Sequence, residues 1–121
     1  MLNIGAGPGE LRVYLACGST DMRKSIDGLA ALVQESFHLD PFSPAVFVFC
    51  NRGRDKLKLL YWEHNGFWLY YRRLERGRFQ WPDTSDGKTL VISHRELNWL
   101  LDGLPWNQPK AHRRVTAKKV V

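Results

Sequence analysis

Two strand-like runs, Lys56–Trp62 and Phe67–Arg73, stand on either side of Asn65-Gly66, the strongest short-range signal for a β-hairpin. Pairing across that turn couples residues whose numbers sum to an odd total, which sorts the side chains into two sets. One face carries Leu57, Leu59, Tyr61, Trp68, Tyr70 and Arg72; the other carries Lys56, Lys58, Leu60, Trp62, Phe67, Leu69, Tyr71 and Arg73. The second face is basic far from the turn and aromatic near it. Both faces hold large apolar groups, so the pattern leaves open which one is buried.

The elements around the hairpin follow from periodicity. Arg12–Cys17 reads as a short strand. Met22, Ile26, Leu29, Val33 and Phe37 recur at spacings of three and four, which places one apolar stripe on a helix of about four turns, with Ser19, Thr20 or Asp21 available as its cap. Gly28 within that helix costs about 1 kcal/mol against Ala and marks an expected close approach to the sheet. Asp40-Pro41-Phe42-Ser43-Pro44 turns the chain, and Ala45–Cys50, apolar on both faces, reads as a central strand. Phe79–Pro82 and Thr89–Ile92 are candidate edge strands. Ser93-His94-Arg95-Glu96 has the form of a capping box and opens a short helix with Leu97, Leu100 and Leu101 inward and Gly103 as its stop. The expected fold class is α+β: an antiparallel sheet of four to five strands on one main helix, with a short C-terminal helix. The expected organisation is a flexible leader over 1–10, one domain over 11–106 and a basic tail over 107–121.

Charge is unevenly placed. The chain of 121 residues carries a formal +6, and the stretch from Arg52 to Arg78 holds eight Lys/Arg against Asp55, Glu63 and Glu75. Positive charge interleaved with aromatic rings suits a surface that neutralises phosphates and stacks on bases. Arg52, Arg54, Lys56, Lys58, Arg72, Arg73, Arg76 and Arg78 are the candidate phosphate contacts, and Trp62, Phe67 and Tyr71 the stacking candidates. At most one face of the hairpin is available for this, because the other must form core. In the run Arg72–Arg78 four guanidinium groups surround the single acid Glu75, and their mutual repulsion is relieved by an anionic ligand. Arg23 and Lys24 either extend this surface or form a solvated helix face.

Other chemistries have weaker support. Gly5-Ala6-Gly7-Pro8-Gly9 lacks the preceding strand and following helix of a phosphate-binding loop. Asp83, Asp86 and Lys88 have the letters of a metal-dependent nuclease but sit in one polar turn-like stretch, and they read as a surface turn. His38, His64, His94 and His112 are scattered, with no second ligand at metal-binding spacing. Cys17 and Cys50 lie in apolar contexts and read as inert free thiols of a reducing cytoplasm. The expectation is a cytoplasmic, non-catalytic protein with no cofactor, no metal and no membrane span.

Several motifs together resemble a known family. They are Thr20-Asp21-Met22-Arg23-Lys24, Asp27-Gly28-Leu29-Ala30-Ala31-Leu32-Val33, Asp40-Pro41-Phe42-Ser43, Phe47-Val48-Phe49, Asn51-Arg52, Lys56-Leu57-Lys58-Leu59-Leu60, Gly66-Phe67 and the run from Arg73 to Pro82. In order and spacing, from about Arg12 to Trp106, they resemble the second-reading-frame accessory proteins of bacterial insertion-sequence family 66 (the TnpB or Orf2 type, unrelated to the RNA-guided nucleases that share the first name). The resemblance implies an accessory role in transposition beside a separate transposase, and it brings no catalytic residue with it. Joined to the charge pattern, it leads to an expected nucleic-acid partner, the element's own DNA. The alternative is a module that docks on the transposase through the same Arg and aromatic residues.

Overall fold

The computed structural model describes residues 11–82 and 88–105. Strands β1 (Arg12–Ala16), β2 (Ala45–Cys50), β3 (Lys56–Glu63), β4 (Gly66–Arg73) and β5 (Thr89–Ile92) form one sheet in the order β4-β3-β2-β1-β5. Helix α1 (Ile26–Glu35) lies between β1 and β2 in sequence, and helix α2 (His94–Leu101) follows β5. The α+β class and the five strands are as expected. The sheet is mixed: β1 and β2 run parallel and the other pairs antiparallel. A helix between two adjacent strands returns the chain to the end where it started, so the pair it joins must be parallel.

The apolar run Ala45–Cys50 is buried along its whole length at the middle of the sheet. Its alternating side chains feed two cores. On one face Phe47, Phe49, Ala16 and Leu60 meet Leu29 and Val33 of α1. On the other, Val46, Val48, Val13, Leu15, Leu57 and Leu59 meet Leu97, Leu100 and Leu101 of α2, together with Phe79. The two helices therefore cover opposite faces of the sheet.

Helix α1 is shorter than its apolar stripe. The Asp21 carboxylate accepts the Arg23 N–H at 2.9 Å and the Asp21 carbonyl accepts the Lys24 N–H at 3.1 Å, which holds residues 21–24 as a turn. Ser25 takes the N-cap position without a side-chain cap bond. Met22 and Phe37 still pack on the core from outside the helix. Gly28 makes room for its own chain, not for the sheet: a Cβ there would stand 3.2 Å from Lys24 Cβ. Phe79–Pro82 is not a strand. Its polar groups reach across elements, Phe79 N–H to Arg54 O at 2.7 Å and Trp81 Nε1–H to Ala16 O at 2.9 Å, so no ladder forms.

The hairpin pairs with the expected parity, but its turn is one residue earlier. Glu63 pairs with Gly66, leaving His64 and Asn65 as the loop, at φ 50° and 71°. Both loop positions of a type I′ turn require positive φ. This register sets Trp62 opposite Phe67 and Lys58 opposite Tyr71.

Helix α2 begins with the full capping box: Ser93 Oγ accepts Glu96 N–H at 3.0 Å and Glu96 Oε1 accepts Ser93 N–H at 2.7 Å. It ends in a Schellman motif, Gly103 N–H to Leu100 O and Leu104 N–H to Trp99 O, both 2.9 Å, with Gly103 at φ 76°. Ser93→Ala should lower stability by about 1 kcal/mol, seen as a lower urea midpoint at unchanged m-value.

Both cysteines are free; Cys50 is buried and Cys17 half-buried. Burial pushes the Cys50 thiol up to about 11 from 9.0, against smaller opposing effects of Arg54 and the Asn51 backbone. A neutral thiol is thus favoured in the fold. Its contribution to stability is intact below pH 9 and is lost as pH rises from 9 through 11, because the unfolded thiol ionises first. Native Cys50 should also resist iodoacetamide at pH 8 and react once urea unfolds the chain, which mass spectrometry of the labelled protein reads directly.

Candidate nucleic-acid interface

The basic residues gather because a turn and a loop dock side by side. Asn51 organises the turn: its Oδ1 accepts the N–H groups of Asp55 at 3.1 Å and Lys56 at 3.0 Å, and its Nδ2 donates to Asp55 Oδ1 at 2.8 Å. Asn51 O accepts Arg54 N–H at 3.2 Å, closing a turn in which Arg54 has φ 63°. A left-handed non-glycine residue costs about 1–2 kcal/mol, offset here by the bonds around it. The Asn51 hydrogen bond, with smaller help from Lys56, holds the Asp55 carboxyl below its usual range, so it stays ionised beside the arginines.

The loop after β4 lies along this turn. Leu74 N–H donates to Asp55 O at 2.8 Å, Phe79 N–H to Arg54 O at 2.7 Å, and Arg78 Nη1 to Gly53 O at 2.7 Å. Leu74 and the buried Phe79 anchor the loop in the α2-side core. Arg52, Arg76 and Arg78 are thereby held exposed at one end of the sheet, where β3 starts and β4 stops.

The ten basic candidates separate into three groups. Arg54, Lys58 and Arg72 bond distant backbone carbonyls. Arg54 Nη1 reaches Gly18 O at 2.8 Å, Lys58 Nζ reaches Met22 O at 2.8 Å and Lys24 O at 2.9 Å, and Arg72 Nε bonds Leu101 O at the end of α2. These three fasten the hairpin and the turn before it to surrounding segments. Arg23, Lys56 and Arg73 pair with acids: Arg23 with Asp21 at 2.7 Å, Lys56 with Asp55 at 3.4 Å and Arg73 with Glu75 at 2.9 Å. The Arg23 hydrogen bonds lower the exposed Asp21 carboxyl to about 2. Arg52, Arg76 and Lys24 are exposed and have no ion pair with a described residue, and Arg78 is exposed with one carbonyl partner.

The stacking candidates are divided. Trp62 and Phe67 pack edge to face at 4.9 Å near the hairpin turn, and Phe42 closes on both at 4.9 and 5.3 Å. They lie at the opposite end of the hairpin from Arg52 and Arg76. Tyr71 is 54% exposed, with Lys58 Nζ 5.9 Å from its ring centre, and lies nearer the basic end. Residues that the sequence reading passed over are Asn51 as organiser and Phe42 as the exposed tip of the aromatic cluster. An Asn opening a Gly-containing turn, and a lone Phe among turn residues, were the available signals.

A cleft of about 530 Å³ between the hairpin and α2 has Leu57 and Leu59 as its floor and Arg72, Arg73 and Asp102 on its rim. Its mixed charge does not extend the basic surface. Among the described residues no three His, Cys, Asp or Glu side chains are placed to hold a metal, and no helix is long and apolar enough to cross a membrane. Asp83 and Asp86, the leader and the tail lie outside the described residues.

Comparison with known proteins adds a relationship. A family model described as IS66 Orf2 like protein matches residues 11–111. Two similar proteins come from Sinorhizobium fredii (strain NBRC 101917 / NGR234). Uncharacterized protein y4hO is 40% identical over 107 residues, which is 88% of this chain and 92% of the relative. Uncharacterized protein y4jC is 36% identical over 105 residues, 86% of this chain and 89% of the relative. No solved structure matches.

Proposed function

The chain belongs to the IS66 Orf2-like family, whose role is accessory to transposition, and from that premise we propose that it acts as a non-catalytic nucleic-acid-binding protein. The ligand is the DNA of its own element, held at the basic end of the sheet. The observation that carries this reading is the docking of the 74–79 loop on the Asn51–Asp55 turn, which fixes Arg52, Arg76 and Arg78 on one exposed end. With the turn and loop backbones already fixed, meeting phosphates orders only the arginine side chains and not the segments that carry them. Lys24, Lys56 and Arg73 supply further charge around them, and Tyr71 the nearest open ring.

The test is fluorescence anisotropy of labelled element-end DNA over a salt series. Affinity should fall steeply with salt, and Arg52→Ala/Arg76→Ala should flatten the logarithmic salt slope by about 2, one for each lost phosphate contact. Absence of binding at low salt would sink the proposal.

A second reading is favoured by the Phe42, Trp62 and Phe67 cluster, where Phe42 is 55% exposed. An apolar tip separated from the basic end suits docking on the transposase while DNA is held elsewhere. In that case Phe42→Ala would weaken co-purification with the transposase and leave DNA affinity unchanged.

A further inference from the structure

Strand β4 is an edge of the sheet, eight residues long, without proline. Its charges lie only at its end, Arg72 and Arg73, and Trp68 and Tyr71 are about half exposed along it. Such an edge offers a row of unpaired backbone groups to another strand. Because Glu63 and Gly66 close the hairpin, Gly66, Trp68, Tyr70 and Arg72 direct their N–H and C=O groups toward β3. The onward bond from Leu74 N–H to Asp55 O keeps the same phase. Phe67, Leu69, Tyr71 and Arg73 therefore point theirs outward, and no described residue outside the strand bonds them.

We propose that β4 pairs antiparallel with β4 of a second copy, about a two-fold axis at Tyr70, to make one continuous sheet of ten strands. An axis normal to the sheet keeps α1 and α2 of both copies on matching faces, so facing residues share parity. With Tyr70 opposite Tyr70, Leu69 faces Tyr71, Trp68 faces Arg72 and Phe67 faces Arg73. All four outward-directed residues then exchange hydrogen bonds, whereas centring on Leu69 leaves Arg73 beyond the paired strand residues. The charge pattern selects the same arrangement. Each arginine lies across from an aromatic ring of the other copy, an attractive cation–π pair. The Arg72 positions of the two copies are offset by four residues, about 14 Å along the strand, which exceeds the screening length at physiological salt. A parallel pairing in register would set arginine beside arginine. The other edge, β5, has only four residues.

The purified full chain, kept reduced, should sediment with a dimer's mass that dissociates on dilution. Tyr71→Pro removes an outward N–H without touching the β3 ladder, and should weaken association at least tenfold while the circular dichroism spectrum stays native. Tyr70→Cys provides an independent readout. In a non-hydrogen-bonded antiparallel pair the two Cα atoms are about 4.5 Å apart, within disulfide range, so mild oxidation should give a covalent dimer that the native chain does not form. A monomer at every concentration tested, or association unchanged by Tyr71→Pro with no Tyr70→Cys cross-link, overturns the proposal.

Discussion

Phe49→Ala is expected to cost about 3–5 kcal/mol, a large part of what a domain of this size has. Phe49 is fully buried on the central strand, in the core that β2 shares with Leu29 and Val33 of α1 and Leu60 of β3. Removing its ring leaves a cavity that the sheet cannot close, because both neighbouring strands are fixed by their ladders. Urea unfolding followed by tryptophan fluorescence measures the loss, with Phe42→Ala as the comparison. Phe42 is more than half exposed, and its truncation should cost under about 1 kcal/mol. Equal losses at the two positions would contradict the assigned core.

Asn51→Ala is expected to cost about 2 kcal/mol and to weaken DNA binding, although it changes no charge. Its side chain holds two backbone N–H groups and the Asp55 carboxylate. Without it those donors depend on water, and the left-handed Arg54 loses the frame that sustains it. The loop carrying Arg76 and Arg78 is bonded to the same turn through Gly53, Arg54 and Asp55, so its position should loosen as well. Comparing Asn51→Ala with Arg52→Ala/Arg76→Ala separates placement from charge. The asparagine variant should bind more weakly with nearly the same salt slope, because its phosphate-contacting groups are all present. An unchanged affinity would mean that charge alone suffices.

The structural role of the basic residues was only partly readable from the chain. Lys58 and Arg72 looked like members of a free basic surface because the sequence places them beside aromatics and other cations. Their partners, Met22 O and Leu101 O, are 36 and 29 residues away. Arg54 likewise bonds Gly18 O, 36 residues away. No local pattern announces a carbonyl supplied from that distance. The candidate Arg23 answers to a nearer influence, the carboxylate of Asp21 two residues before it, which accepts its guanidinium at 2.7 Å in a turn ahead of α1; the sequence pattern had left Arg23 between the basic surface and a solvated helix face.

The sequence by itself determined the features set by neighbours in the chain. Alternation over Lys56–Arg73 assigned each hairpin side chain to its face, Ser93 and Glu96 specified the start of α2, and Gly103 its end. Unbroken apolar character placed Ala45–Cys50 at the centre of the sheet. These follow from backbone geometry with periods of two and 3.6 residues, which any folded state must respect. Tertiary structure decided what that periodicity leaves symmetric. Each hairpin face carried enough apolar surface to be core, and both are in part: Leu57 and Leu59 lie under α2, and Leu60 under α1. Which arginines remain open to a ligand, and which edge of the sheet is left unpaired, depended on where the two helices and the 74–79 loop came to rest. Burial and carbonyl pairing are set by contacts between segments far apart in the chain, and those exist only once the sheet has closed on both sides.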